Sequence, residues 1–338
     1  MTHPSAARGA AAIVLALAAA TALSGCSDAA GENPAAPTSP ATEAWSYSDG
    51  AGQTITLDQA PTRIASFADY AIGLLSYGIT PVAIFGREDV AGDSRFADYD
   101  LSNVAIVGNT YGEIDLEALA GAEPDLIVTG IYPVDRDGTL NLDEPYYAFA
   151  DKEQQDQLAK IAPIAAIKVG GAGSEVIDQL NSLATALGVE DQVIADAKAA
   201  YDAAADELSA AAQASDLELT MIYASADGIW LVKPLDEPST ELYTSLGLQF
   251  TNLNPGGDFY WDTYSWENAA QMMTGDVLLV FTEGYQEADL LQQPTFAAHP
   301  ALVAGQVFTW SDAAFDFGSQ ATQFGYLTEI LQQSAKVT

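Results

Sequence analysis

The sequence predicts an α/β fold of two lobes joined by a single long α-helix, and three observations predict it. From Trp45 onward, short apolar runs alternate with helical segments, the signature of a mainly parallel sheet. Between Glu190 and Gln213 runs an Ala-rich stretch of 24 residues with neither Pro nor Gly. After Ser215 the strand–helix alternation starts again.

Taken in order, Gln53–Leu57 forms one arm of an opening hairpin, with the turn signal Asp49-Gly50-Ala51-Gly52 before it. First-half strands are expected at Arg63–Phe67, Pro81–Phe85, Val104–Val107, Asp125–Thr129 and Ile164–Val169. Helices are expected between them at Tyr70–Tyr77, Asp115–Ala120 and Glu144–Lys160. Ser174–Leu187 and Glu190–Gln213 read as consecutive helices, and the second would run about 36 Å at about 1.5 Å per residue, enough to pass from one lobe to another. Second-half strands are Leu219–Ala224, Ile229–Lys233, Val277–Thr282 and Val307–Trp310, with helices at Ser239–Leu246, Ser265–Met273 and Gln320–Gln333. Gly170-Gly171-Ala172-Gly173 and Gly256-Gly257 match neither a phosphate loop nor a dinucleotide fingerprint in spacing and read as turns.

The 338 residues, 49% hydrophobic, suffice for about two domains of roughly 150 residues each and exclude a disordered chain. Eleven Lys and Arg stand against 47 Asp and Glu, a net charge of −36. Such a body repels a phosphate backbone, so nucleic acid is excluded as a partner. With one Cys, neither an internal disulfide nor a zinc-thiolate site can form, and two His, His3 and His299, are too few for a His-rich metal centre.

Residues 1–25 have the tripartite form of a secretory signal peptide: Arg8 as the only charge, an apolar run from Ala10 to Ala22, then Ser24 and Gly25. That run is too short to span a membrane. Leu23-Ser24-Gly25-Cys26 resembles the lipobox of bacterial lipoproteins, which implies acylation of Cys26 and an extracytoplasmic body anchored to the cell membrane. Residues 26–44 carry three prolines and no aromatic residue, so they read as a flexible tether. The expected organisation is then an N-terminal α/β lobe over 45–173, a helical segment over 174–214 containing the interlobe helix 190–213, and a C-terminal α/β lobe over 215–338.

Several collinear stretches resemble the iron-siderophore and cobalamin class of ABC-transporter substrate-binding proteins. They are Ala60-Pro61-Thr62-Arg63-Ile64-Ala65-Ser66, Ile114-Asp115-Leu116-Glu117-Ala118-Leu119 leading to Glu123-Pro124-Asp125-Leu126-Ile127-Val128, and Lys160-Ile161-Ala162-Pro163-Ile164. Ser265-Trp266-Glu267-Asn268 then leads to Gly275-Asp276-Val277-Leu278-Leu279-Val280, and His299-Pro300-Ala301-Leu302-Val303-Ala304-Gly305-Gln306-Val307-Phe308 closes the series. The resemblance implies the class III periplasmic-binding-protein fold, two Rossmann-like lobes with a ligand in the cleft. It also implies docking onto an ABC permease through one carboxylate on each lobe, and the matching positions are Glu117 and Glu267. Two separated acids on a rigid body give register and steering more than raw affinity.

In open α/β sheets a ligand sits beyond the carboxyl ends of the strands. The residues there are Asp69 and Tyr70, Arg87, Thr110 and Tyr111, and Ile131 and Tyr132 in the first lobe. In the second they are Pro234 to Glu237, Tyr260 and Trp261, Glu283 and Tyr285, and Trp310 with Phe315. From these, and with Lys233 near the second lobe's mouth, Tyr70, Arg87, Tyr111, Tyr132, Lys233, Trp261, Tyr285 and Trp310 are the candidate ligand-binding residues. Flat apolar faces with polar edges suit a bulky chelate. Many relatives carry an Arg six residues before the docking Glu; Tyr111 stands there instead, which disfavours anionic chelates.

The expectation is a monomeric solute-binding lipoprotein for a ferric siderophore, hydroxamate type favoured, with iron only as part of the chelate, no cofactor and no catalytic residue. Cobalamin or haem is the alternative cargo. A secreted hydrolase would need a base, and His299 is the only imidazole left after processing; there is no Gly-x-Ser-x-Gly elbow. A purely structural surface lipoprotein would bind nothing.

Overall fold

The computed structural model describes residues 44–311 and 314–337. The expected leader, Cys26 and the tether up to residue 43 lie outside the described residues.

The hairpin pairs β1 (Trp45–Ser48) with β2 (Thr54–Leu57). Asp49 shapes its turn: Oδ1 accepts the amides of Ala51 and Gln53 at 3.1 and 2.7 Å, and Oδ2 accepts that of Ala166 at 3.0 Å. The Trp45 indole donates to Ala186 O at 2.7 Å, so the hairpin is tied down at both ends.

The first sheet holds β3 (Ile64–Phe67), β4 (Ala83–Gly86), β5 (Ala105–Asn109), β6 (Leu126–Ile131) and β7 (Ile164–Lys168). All are parallel, in the order β5-β4-β3-β6-β7. Helices α1 (Ala68–Ser76), α2 (Leu116–Gly121) and α3 (Lys152–Ile161) cover it. Burial on both faces is why runs such as Leu126-Ile127-Val128 are continuously apolar. Asp115 caps α2 and Asp151 caps α3 through side-chain oxygens on the first-turn amides. The third helix is therefore shorter than its expected Glu144–Lys160 span, because the Asp151 cap fixes its start and leaves residues 144–151 as loop.

Two helices, α4 (Gly173–Ala186) and α5 (Asp191–Ala214), connect the first sheet to the second. The long helix occupies nearly the expected span. The second sheet contains β8 (Glu218–Ser225), β9 (Gly228–Val232), β10 (Gln249–Phe250), β11 (Trp261–Tyr264), β12 (Val277–Phe281) and β13 (Val307–Trp310). Its order is β11-β9-β8-β12-β13, with β10 on β8; β9 alone runs against the others, pairing antiparallel with β8 and β11. Its helices are α6 (Pro238–Ser245), α7 (Glu287–Leu290), α8 (Pro300–Val303) and α9 (Phe317–Gln333). Alternation sorts this sheet onto two cores: Leu219, Met221, Val277 and Leu279 face α5, α6 and α9, while Ile222, Ala224, Leu278 and Val280 face Leu290, Phe296 and Leu302. Each such buried Leu, Ile, Met or Val side chain contributes about 1.5–3 kcal/mol.

The expected helix at Ser265–Met273 is a 3-10 turn, Trp266–Met272. The expected turn at Gly170–Gly173 is a close approach: a Cβ on Gly173 would stand 2.3 Å from Pro238 O, so glycine lets α4 meet α6.

Candidate ligand-binding cleft

The two sheets turn the carboxyl ends of their parallel strands toward one cavity of about 500 Å³, within the size range of small-molecule sites. From the first sheet come Asp69 and Tyr70 after β3, Arg87 after β4, Tyr132 and Pro133 after β6, and Val169 after β7. Tyr147 joins them from the loop before α3. From the second sheet come Tyr223 on β8, Glu237 before α6, Phe281 and Glu283 at the end of β12, and Trp310 at the end of β13. Phe259, Tyr260 and Trp261 line another stretch, with Ala314 and Phe315 beyond β13.

The rings form connected clusters of edge-on and tilted pairs. Tyr147 lies edge-on to Phe67 and Tyr111 at centroid distances of 5.4 and 5.3 Å, and 4.8 Å from Tyr132. Tyr132 in turn faces Tyr260 of the other half at 6.4 Å. Phe281 packs on Trp310 at 4.5 Å, and the Trp310 indole donates to Ile222 O at 3.3 Å. Each aromatic pair contributes about 0.5–1.5 kcal/mol beyond area burial, which holds these walls in place before any ligand arrives. Backbone bonds fix Tyr147 as well, its amide donating to Gly130 O at 2.9 Å and its carbonyl accepting from Thr129 Oγ1 at 2.6 Å. Gly130 has a second role: a Cβ there would stand 2.2 Å from the Tyr70 hydroxyl, so the phenol can cross the strand only over glycine. Tyr260 holds a positive φ of 72°, an uncommon conformation for a bulky residue. Its amide donates to Asp236 Oδ2 at 3.1 Å and its carbonyl accepts from the Lys233 amide at 3.0 Å, and these two bonds impose that backbone.

The charges are concentrated on one side. Arg87 donates through Nε to Glu283 Oε1 at 2.7 Å, and its Nη1 lies 3.5 Å from Asp69 Oδ2 and 3.3 Å from the Tyr147 hydroxyl. The guanidinium also lies over the Phe281 ring, 5.6 Å from its centroid. Asp69 holds a second guanidinium, that of Arg95, at 2.7 Å. Burial, then the neighbouring Glu283, pushes the Glu88 carboxyl above its ordinary range, with Arg87 opposing.

Of the eight candidates, Tyr70, Arg87, Tyr132, Trp261 and Trp310 line the cavity. Tyr111 stands at its margin, 48% exposed and packed on Tyr147. Two are placed elsewhere. Lys233 is buried in an ion pair with Asp262, 3.2 Å away, and bonds Asn254 O, because the β9–β11 pairing brings Asp262 beneath it. Tyr285 stacks on Trp266 at 6.1 Å, its amide tied to Ala224 O, and packs against the far core of the second sheet. Tyr147, Tyr223 and Phe281 are cavity residues that reading beyond strand ends misses; the Asp151 cap signal, by excluding Tyr147 from a helix, would have found the first. Glu117 is exposed in the first turn of α2, and Glu267 is exposed in the 3-10 turn. The Glu267 carboxyl lies below its ordinary range, held by its own backbone amide and by Ser265.

His299 sits outside the cavity as the N-cap of α8. Its Nδ1 accepts the Ala301 amide at 3.2 Å and its Nε2 donates to Thr274 O at 2.8 Å. Burial lowers its pKa, so the imidazole is neutral with both nitrogens used in structure, and it serves no nucleophile in the cleft. Among the described residues no three His, Cys, Asp or Glu side chains cluster as a metal site, and no helix is long and apolar enough to cross a membrane.

Two α/β halves with an aromatic cleft between their strand ends define a bilobal binding protein. The chain belongs to the periplasmic binding protein family, which matches residues 66–314. Among solved structures it is similar to DesE, a ferric-siderophore receptor protein from Streptomyces coelicolor, at 28% identity and TM-score 0.75, covering 87% of this chain and 100% of that one. It is also similar to Staphylococcus aureus SirA complexed with staphyloferrin B, at 19% identity and TM-score 0.61, covering 85% and 98% of the two chains. Streptococcus pneumoniae PiaA in complex with ferrichrome follows, at 20% identity and TM-score 0.55, covering 86% and 99%. The last two speak to the fold alone. No curated protein matches the chain.

Proposed function

We propose that this chain is the extracytoplasmic binding component of an ABC importer, that it takes a ferric siderophore into the cleft, and that it delivers the chelate to a membrane permease. The observation that carries this reading is the cavity of about 500 Å³ walled by aromatic rings from both halves. Such walls bury a bulky chelate by apolar contact while phenol and indole edges orient it. Similarity to a ferric-siderophore receptor protein over the full length of that chain supports the same cargo class. A hydroxamate-type chelate fits better than a triply anionic catecholate, because among the described residues three carboxylates and one paired guanidinium line the site. The work is binding and release, with no covalent step. Acylation of Cys26 would hold the body at the membrane where the permease lies.

Tryptophan fluorescence tests the cargo. Of five tryptophans, Trp261 and Trp310 line the cleft, so the protein is titrated with a ferric hydroxamate, a ferric catecholate, cobalamin and haem. Saturable quenching by one ferric chelate and not by its iron-free form is expected. Quenching by cobalamin or haem alone would replace the cargo, and silence with all four would leave a binding protein for another solute.

Glu117 and Glu267 are our docking residues, one exposed acid on each half. Replacing both, Glu117→Ala with Glu267→Ala, is expected to abolish uptake into cells while chelate affinity stays at the wild-type value. An equal loss of affinity would remove the docking role.

A further inference from the structure

Among the described residues one guanidinium, that of Arg87, lines the cleft, and the protein has already engaged it. Arg87 comes from the first half and its 2.7 Å partner Glu283 from the second, so the bond crosses the cavity. Both side chains are largely withdrawn from solvent, 13% and 28% exposed. Asp69 and the Tyr147 hydroxyl approach the Nη1 side, and Phe281 lies under the guanidinium plane. An anionic ligand taking the Nε edge of Arg87 would displace Glu283, and would then meet a released carboxylate beside Glu88. A ligand with a free ammonium meets the opposite field, since Asp69, Glu237 and Glu283 all line the cavity.

We infer that Glu283 is a specificity-determining residue which, by holding Arg87 across the cleft, makes the site select chelates by charge, favouring cationic over neutral and neutral over anionic complexes. The inference rests on the proposed function for its ligand class, and it names two residues with opposite effects. Glu283 lowers the affinity for anions both by its own charge and by occupying their natural partner. Arg87 tempers the preference for cations. Desolvation strengthens both effects, because a charge pair facing a ring-lined cavity is screened less than one in open water.

The test compares the wild type with Glu283→Gln and Arg87→Gln. Each is titrated with three ferric complexes: a tris-hydroxamate bearing a free ammonium, a neutral tris-hydroxamate and a tris-catecholate trianion. E283Q is expected to shift the cation-to-anion affinity ratio toward the anion by at least about tenfold, the worth of one charge-assisted hydrogen bond, and R87Q to shift it the other way. A merely structural role would weaken all three complexes together in both variants, or leave the ratio unmoved, and either result overturns the inference. Should the wild type bind none of the chelates, the proposed cargo fails but the charge filter is still read without it. Quenching of the cleft tryptophans by iodide relative to caesium is then expected to rise in E283Q and fall in R87Q, and an unchanged ratio overturns the inference.

Discussion

Ser76 and Tyr77 meet Asp316 and Phe317 in the protein interior, whereas Arg136 meets Asp236 in the open. Both contacts join the first-sheet half to the second, and both lie next to the cleft, one a residue beyond Phe315, the other on the loop that begins at Pro133. In the buried contact, Asp316 is fully inaccessible and accepts from Ser76 Oγ at 2.8 Å while capping α9 through the Ser319 amide at 2.9 Å. The Tyr77 hydroxyl donates to Asn181 Oδ1 at 2.5 Å and accepts the Phe317 amide at 3.2 Å, and burial pushes its pKa up to about 12. The open contact is made of charge: Arg136 holds Asp236 through two nitrogens at 2.8 and 2.7 Å and also donates to Gly257 O and Asp258 O. Buried hydroxyl and amide bonds are costly to separate, since each half would be left with unsatisfied groups. The open contact separates at lower cost on the Arg136 side, where the 41% exposed guanidinium passes to water, while Asp236, 8% exposed, keeps the Tyr260 amide. The difference teaches that the halves are fixed on one contact and releasable on the other, an arrangement suited to taking up and giving up a ligand.

The largest effect is expected at Asp316. Asp316→Ala removes the α9 cap and the Ser76 bond together, a loss of about 2 kcal/mol in stability by denaturant unfolding. Asp316→Asn sharpens the point, because it keeps an Oδ1 acceptor for Ser319 and Ser76 and removes the charge, with an NH2 in place of the partnerless Oδ2. Burial raises the Asp316 carboxyl above its ordinary range, and its Oδ2 finds no hydrogen-bond partner among the described residues. The folded state therefore holds the proton more tightly than the unfolded chain. The associated stability is complete below the unfolded pKa of about 4 and is lost as pH rises through the folded value. Asparagine has no such loss, so D316N should gain on the wild type as the pH rises above about 4. Parallel stability profiles for the two proteins would remove the buried charge from this account.

Neither contact was legible in the sequence, and for one reason. The framework was legible because each element has its own local signature: continuous apolar runs for sheet strands buried on both faces, and an uninterrupted Ala-rich stretch for α5. The cleft was legible in part, because residues following parallel strands must gather at one edge. That rule reaches Tyr70, Arg87, Tyr132 and Trp310 but not Tyr147, which arrives from a loop, nor Tyr223, which lies within β8. Strand β11 was hidden by its own chemistry. Its Asp262 reads as a surface residue, yet it is buried against Lys233, and only the fold brings that partner to it. Asp316 and Arg136 are alike in this respect: a lone Asp before a helix and an Arg between two acids, Asp135 and Asp137, carry no mark of partners 240 and 100 residues away.

The open contact provides the smallest effect on stability and the clearest effect on ligand exchange. Asp236 does two things, holding Arg136 and accepting the amide of Tyr260, whose positive φ presents its ring toward Tyr132. Asp236→Ala is therefore expected to raise the chelate dissociation rate more than Arg136→Ala, since it also frees the strained Tyr260 backbone. Arg136→Ala should leave the melting temperature close to wild type and raise the dissociation rate a few-fold in stopped-flow measurements. Because Arg136 is exposed, 1 M NaCl, with a Debye length of about 3 Å, should erase most of the difference between R136A and the wild type. The same salt should leave the D316A deficit in place, because a fully buried hydroxyl–carboxylate bond is beyond the reach of mobile ions. If salt diminished both deficits equally, the two contacts would be electrostatic equals and the asymmetry between a fixed and a releasable side would be lost.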